Sequence, residues 1–186
     1  MDDPNEGKAP EPFAGVPARN TADYMLRTAQ QHHAQISAMA DTKANILITV
    51  SSIVLTLVLG QADEPELRPG LGVLAIFTLA ALFLAVFAIL PRVDRFDRLG
   101  SSLPPAFNLL FFGHFSQLSR ERFRREMEAV LASDARVYET VVSDLYGLGS
   151  YLYRRKYRLL RWSYLSLLTG FVGACLLQLG IAAWVP

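Results

Sequence analysis

The sequence predicts an all-α membrane protein: three transmembrane helices, with long helices extending from them into a helical cytoplasmic module. Three observations carry this. Residues 71–90 (LGVLAIFTLAALFLAVFAIL) are 20 residues without a charge, and roughly 20 apolar helical residues cross a hydrocarbon core about 30 Å thick. Residues 162–185 (WSYLSLLTGFVGACLLQLGIAAWV) form a second uncharged stretch. Trp162 and Tyr164 stand at one end of it and Trp184 at the other, where interfacial aromatic belts form. No Gly or Pro interrupts residues 18–59, so one long helix runs from a polar segment into an apolar one.

In chain order, residues 1–18 hold four prolines and several acids and read as a disordered tail. A cytoplasmic helix follows over residues 19–43, capped by Thr21, with Tyr24, Met25, Ala29, Ile36 and Met39 roughly on one side. Residues 44–60 form transmembrane helix 1, which at 17 residues is at the low end of the spanning range. Residues 61–70 are an external turn broken by Pro65 and Pro69-Gly70. Transmembrane helix 2 is 71–90, the cytoplasmic helical module 91–161, and transmembrane helix 3 162–185.

Within the module, residues 92–118 read as a loop with an ordered aromatic cluster. Ser119 caps a short helix with Glu121 in its first turn. Phe123, Met127, Val130 and Leu131 make its buried face. Ser133 or Asp134 starts a second helix. Its Tyr138, Val141, Leu145, Leu148 and Leu152 repeat at spacings of 3, 4, 3 and 4, a heptad-like seam. Gly147 and Gly149 weaken it locally. The seam needs a partner, either the 19–43 helix or a second subunit.

Charge sets the expected orientation. Of 18 Lys and Arg residues, four lie in 1–43, one in 61–70 and thirteen in 91–161. Arg92, Arg95 and Arg98 follow the second span. Arg154, Arg155, Lys156, Arg158 and Arg161 precede the third. The positive-inside rule places the N-terminus in the cytoplasm and the C-terminus outside. The first apolar run begins after 43 polar residues, so the first span is expected to act as an uncleaved anchor. A net charge of +1 gives no general support to nucleic-acid binding, and the single Cys175 allows no disulfide within the chain.

The first span is not uniformly apolar. Asn45, Thr49, Ser52 and Thr56 recur at 4, 3 and 4 residues and share one helical face, which Asp41 extends by a turn. Two readings stand: a packing face, since Asn and small hydroxyl residues hold membrane helices together, or a pore-lining face after oligomerisation. Lys43 can snorkel to the headgroups, and Asp41 is expected to meet Arg158 or Arg161. The basic run from Arg154 to Arg161 suits anionic lipid and equally suits an anionic ligand. In the third span Ser166, Thr169, Gly170 and Gly173 make a small-residue surface for close helix contact, and Gln178 can bond across helices. His32, His33 and His114 make no metal motif. No catalytic triad, glycine-rich phosphate loop or HExxH is present, so an enzyme and a metal cofactor are not expected.

ADTKANILITVSSIVLTL at 40–57, NLLFFGHFSQLS at 108–119 and DLYGLGSYLYRRKYRLLRWSY at 144–164 together resemble the transmembrane effector family of Pycsar, a bacterial anti-phage system. The resemblance covers about residues 20–185. Asp41, Lys43 and Ala44 match the motif at the membrane junction; Phe112, Gly113, His114 and Phe115 match the loop motif. It implies a partner cyclase that makes cyclic CMP or cyclic UMP on infection. It also implies an effector in the bacterial inner membrane that responds by impairing that membrane. The chain lacks the alternating strands of a cyclic-nucleotide-binding β-roll. A nucleotide would therefore bind the helical module, at the 108–119 loop with neighbouring arginines: Phe112, His114, Phe115, Arg154, Arg155 and Arg158. Phe111, Phe112 and Phe115 either stack on a base or pack the loop. The alternative function is a non-catalytic membrane scaffold or sensor subunit that recruits a partner through its cytoplasmic helices.

Overall fold

The computed structural model describes residues 12–17, 19–90, 96, 100 and 102–184, and among them the regular structure is helical with no strand. The helices are α1 (Asn20–Gly60), α2 (Arg68–Ile89), α3 (Phe112–Phe115), α4 (Arg120–Leu131), α5 (Asp134–Tyr151) and α6 (Arg158–Trp184). A π-helical turn, Leu152–Tyr157, joins α5 to α6 without a break. Arg92, Arg95 and Arg98, part of the charge argument, lie outside the described residues, as do most of the tail and residues 185–186.

Three helices are long and apolar enough to cross a membrane: α1, α2 and the continuous run Asp134–Trp184. The chain divides into two compact units, residues 34–91 with 150–186, and residues 1–33 with 92–149.

The first of these units contains the apolar helices. Each presents a narrow seam of small side chains. On α1 the buried residues are Ala40, Ala44, Leu47, Ser51 and Val58. On α2 they are Gly70, Thr78, Ala81, Ala85 and Ala88. On α6 they are Leu160, Ser163, Gly170 and Ala174. Spacings of three and four keep each set on one face, and Ala40, Ala44, Leu47, Ala85, Ala88 and Leu160 close into one core cluster. Small residues let helix backbones approach where lipid offers no hydrophobic drive between helices. Hydroxyls then bond across the seam. Ser163 Oγ donates to Ala81 O at 2.7 Å and Ser166 Oγ to Phe77 O at 2.8 Å. Gln178 Nε2 donates to Glu66 O at 2.8 Å, so its partner is the turn before α2 rather than a neighbouring helix. Gly170 and Gly173 face α2 at Phe77 and Val73, while Thr169 is exposed. The outer surface is Ile76, Phe83, Phe87, Leu168, Phe171 and Leu179, all exposed, a continuous apolar covering of the kind that lipid masks.

The second unit is built from the first turns of α1 with α3, α4 and α5. Ser119 caps α4 as its sequence predicts, its Oγ accepting from Arg122 N at 3.3 Å. Buried Tyr138 on α5 donates its hydroxyl to Asp23 Oδ1 on α1 at 3.1 Å, so α1 is a partner of the α5 seam. Burial first, and then this bond, raise the Tyr138 phenol above its ordinary value. A raised folded-state pKa means that the stabilisation is complete below the unfolded value of about 10 and is lost only as pH rises through the folded value. Residues 12–17, part of the segment expected to be disordered, form a turn in which Val16 N donates to Phe13 O at 2.9 Å. Phe13 and Val16 line a cavity of about 260 Å³ with Met25, Leu26 and Val142.

Candidate functional site

The loop motif folds as a helical turn, α3, around a plugged aromatic core. His114 Nδ1 accepts from Asn108 N at 2.9 Å, which requires that nitrogen to be unprotonated. The His114 ring sits 5.0 Å from Phe96, 5.4 Å from Phe107 and 5.0 Å from Phe111, edge-on to the first and last. Phe115 packs on Phe123 of α4 at 5.1 Å. Gly113 is buried, and Gln117 Nε2 donates to its carbonyl. Gln117 Oε1 accepts from Phe96 N at 3.1 Å. Of the three loop residues expected to meet a ligand, His114 and Phe115 hold the loop together. Phe112 alone is largely exposed, at 61%.

Three residues that sequence reading missed pin this loop to the helices. Asn108 Oδ1 accepts from Leu110 N at 2.9 Å, closing a local turn, and its Nδ2 donates to Asp144 Oδ1 of α5 at 2.8 Å. Gln30 Nε2 of α1 donates to Asp144 Oδ2 at 3.2 Å. Asp144 is thus the shared acceptor for the loop and α1. A usable signal existed: a carboxylate flanking an otherwise apolar seam between Val141 and Leu148. Asp144→Ala is expected to cost about 2–3 kcal/mol, since it removes two hydrogen bonds to a charged acceptor. Hydrogen exchange checks this, with faster exchange in 108–119 and in the early turns of α1 together. Faster exchange in only one of them would break the shared-acceptor description.

On α1, Asp41 meets Lys156 rather than Arg158 or Arg161. The Lys156 ammonium lies 2.6 Å from Asp41 Oδ1 and donates to Ser37 O at 3.2 Å and Ser37 Oγ at 3.0 Å. All three of its donors are used. The Lys156 side chain is 7% exposed and the Asp41 side chain 45%. The reason is helical phase. The heptad seam from Tyr138 to Leu152 extrapolates to 155 and 159, yet the buried positions are Lys156 and Leu160. The π-turn inserts one residue and moves the seam by one, which aims Lys156 inward. Lys43 is exposed.

The polar face of α1 points away from the rest of the chain. Asn45, Thr49, Ser52 and Thr56 are all exposed, and the face that packs in this chain is the opposite one. The three hydroxyls are satisfied within the helix: Thr49 donates to Asn45 O, Ser52 to Ile48 O and Thr56 to Ser52 O, at 2.8–2.9 Å. The basic run is split. Arg154, Arg158 and Arg161 are exposed, whereas Arg155 is half-buried, its Nε without a hydrogen-bond partner among the described residues. These arginines belong to the other compact unit from the loop residues. Among the described residues no group of three or more His, Cys, Asp or Glu side chains is arranged to hold a metal ion.

Helices without a strand among the described residues, three of them apolar and of membrane-crossing length, define a helical membrane protein. Residues 24–184 match the family described as the Pycsar effector protein domain, and the chain belongs to that family. Its role is therefore that of an effector in cyclic-nucleotide-signalled anti-phage defence. No curated protein and no solved structure matches the chain.

Proposed function

We propose that this protein sits in the bacterial inner membrane with its N-terminus in the cytoplasm and its C-terminus outside. It acts there as a non-catalytic homo-oligomer that impairs the bilayer when cyclic CMP or cyclic UMP from a partner cyclase accumulates. The observation that carries this reading is the exposed face of Asn45, Thr49, Ser52 and Thr56 on a helix otherwise apolar enough to span. Facing lipid, such a face gains nothing; facing its counterparts in other copies, it lines a water-accessible path or packs polar groups together. The nucleotide reading falls on the 108–119 loop, where exposed Phe112 offers a stacking surface for a base. Binding drives the change only so far as it favours the altered arrangement of the long helices.

Hydrogen exchange over 108–119 during titration with cyclic CMP and cyclic UMP tests the ligand step. Protection by one nucleotide, lost in Phe112→Ala, is expected. Unchanged exchange with both would remove direct binding from the account and favour a scaffold that recruits a partner.

A further inference from the structure

The basic run across the π-turn and the start of α6 divides into a buried and an exposed part. Lys156 is buried and spends its charge on Asp41. Arg154, Arg158 and Arg161 are exposed, and Arg154 and Arg158 each lie two residues from buried positions on both sides (Leu152, Lys156 and Leu160), so they face away from the packed side. In the compact unit that holds them, the acidic residues are Asp41, Asp63, Glu64 and Glu66. The last three lie at the far end of the bundle, where Gln178 bonds to Glu66 O. From Arg161 to Gln178 is 17 residues of helix, a rise of about 25 Å. Asp41 is already taken. Among the described residues of this unit the arginine face therefore has no ion-pair partner.

Exposed Trp162 and Tyr164 follow the arginines directly, and aromatic rings of this kind settle at headgroup level. The same helix becomes uncharged from Trp162 onward, so the guanidinium groups stand where phosphates are. Arginine binds phosphate oxygens through paired N–H groups. Arg154 and Arg161 are separated by about 10 Å of rise, too far for one small phosphate and suited to a row of headgroups.

We propose that Arg154, Arg158 and Arg161 form a docking face for anionic phospholipid headgroups. The face selects those lipids around the third apolar helix. No nucleotide enters this inference or its test, so it stands or falls separately from the cyclic-nucleotide reading.

Trp184→Phe leaves Trp162 as the sole tryptophan and a reporter beside the face. The protein is placed in bilayers that carry brominated phosphatidylglycerol or, at equal mole fraction, brominated phosphatidylcholine. Stronger quenching of Trp162 by the anionic lipid is expected. Each basic residue near an anionic surface contributes a factor of about five, so R154Q/R158Q/R161Q should lower the preference at least about fivefold. The triple lysine variant should retain most of it, and salt should weaken it. Excess inorganic phosphate should not compete. Circular dichroism of the glutamine variant confirms that the helices persist. Equal quenching by the two lipids, or a preference that survives in the glutamine variant, would overturn the proposal. Competition by free phosphate would also overturn it, by indicating a site for a soluble anion.

Discussion

Gly170→Ala is expected to destabilise the α2–α6 pair by about 2–3 kcal/mol, near the top of the range for overpacking. A Cβ at this position would fall inside van der Waals contact of Phe77 Cβ, with Phe77 Cγ at 3.3 Å and Cα at 3.6 Å. The clash is with the root of the side chain rather than its tip, so a rotamer change cannot relieve it. The helices must separate instead. Separation also stretches the bonds from Ser163 and Ser166 to the α2 carbonyls, each worth about 0.6 kcal/mol in membrane bundles. Gly170→Val should be worse. Thr169→Ala, next door but exposed, should stay within about 0.5 kcal/mol. Unfolding in mixed micelles compares the three, and a Gly170→Ala protein as stable as Thr169→Ala would show that the two helices do not pack as closely as described.

The Asp41–Lys156 pair carries the second large effect, and its two halves are unequal. Asp41→Ala leaves a buried ammonium with only Ser37 for company. Breaking a buried pair by removing one partner costs about 3–5 kcal/mol. Lys156→Met keeps the buried stem and leaves a carboxylate that is 45% exposed and can hydrate, so about 1–2 kcal/mol is expected. The order is the test. Unfolding should rank Asp41→Ala as clearly less stable than Lys156→Met, and the reverse ranking would mean that the ammonium is not the group the site exists to satisfy.

The apolar helices were legible because hydrophobic runs and the absence of Gly and Pro are local properties. The Ser119 cap was legible for the same reason, since it depends on one side chain at one place. The partner of Asp41 was not. It depends on the phase of a helix 115 positions later, and a single inserted residue in the π-turn exchanges Arg155 for Lys156 at the seam. The Gln30–Asp144–Asn108 network was hidden in the same way, because its members come from three separate segments. For the loop motif, residue type suggested a ligand site, and the geometry commits His114 and Phe115 to the loop's own core. Conversely, the outward direction of the α1 polar face became clear only once Ala40, Ala44, Leu47 and Ser51 were seen to occupy the packed side.

The proposed function is that a cyclic pyrimidine nucleotide turns this chain into a path through the membrane. The most direct measurement is dye release from vesicles that contain the purified full-length protein, before and after addition of cyclic CMP or cyclic UMP. The account predicts release that depends on one of these nucleotides and falls sharply when Asn45, Thr49, Ser52 and Thr56 are replaced together by leucine. Vesicles that stay sealed with either nucleotide, while the protein remains helical and inserted, would contradict it.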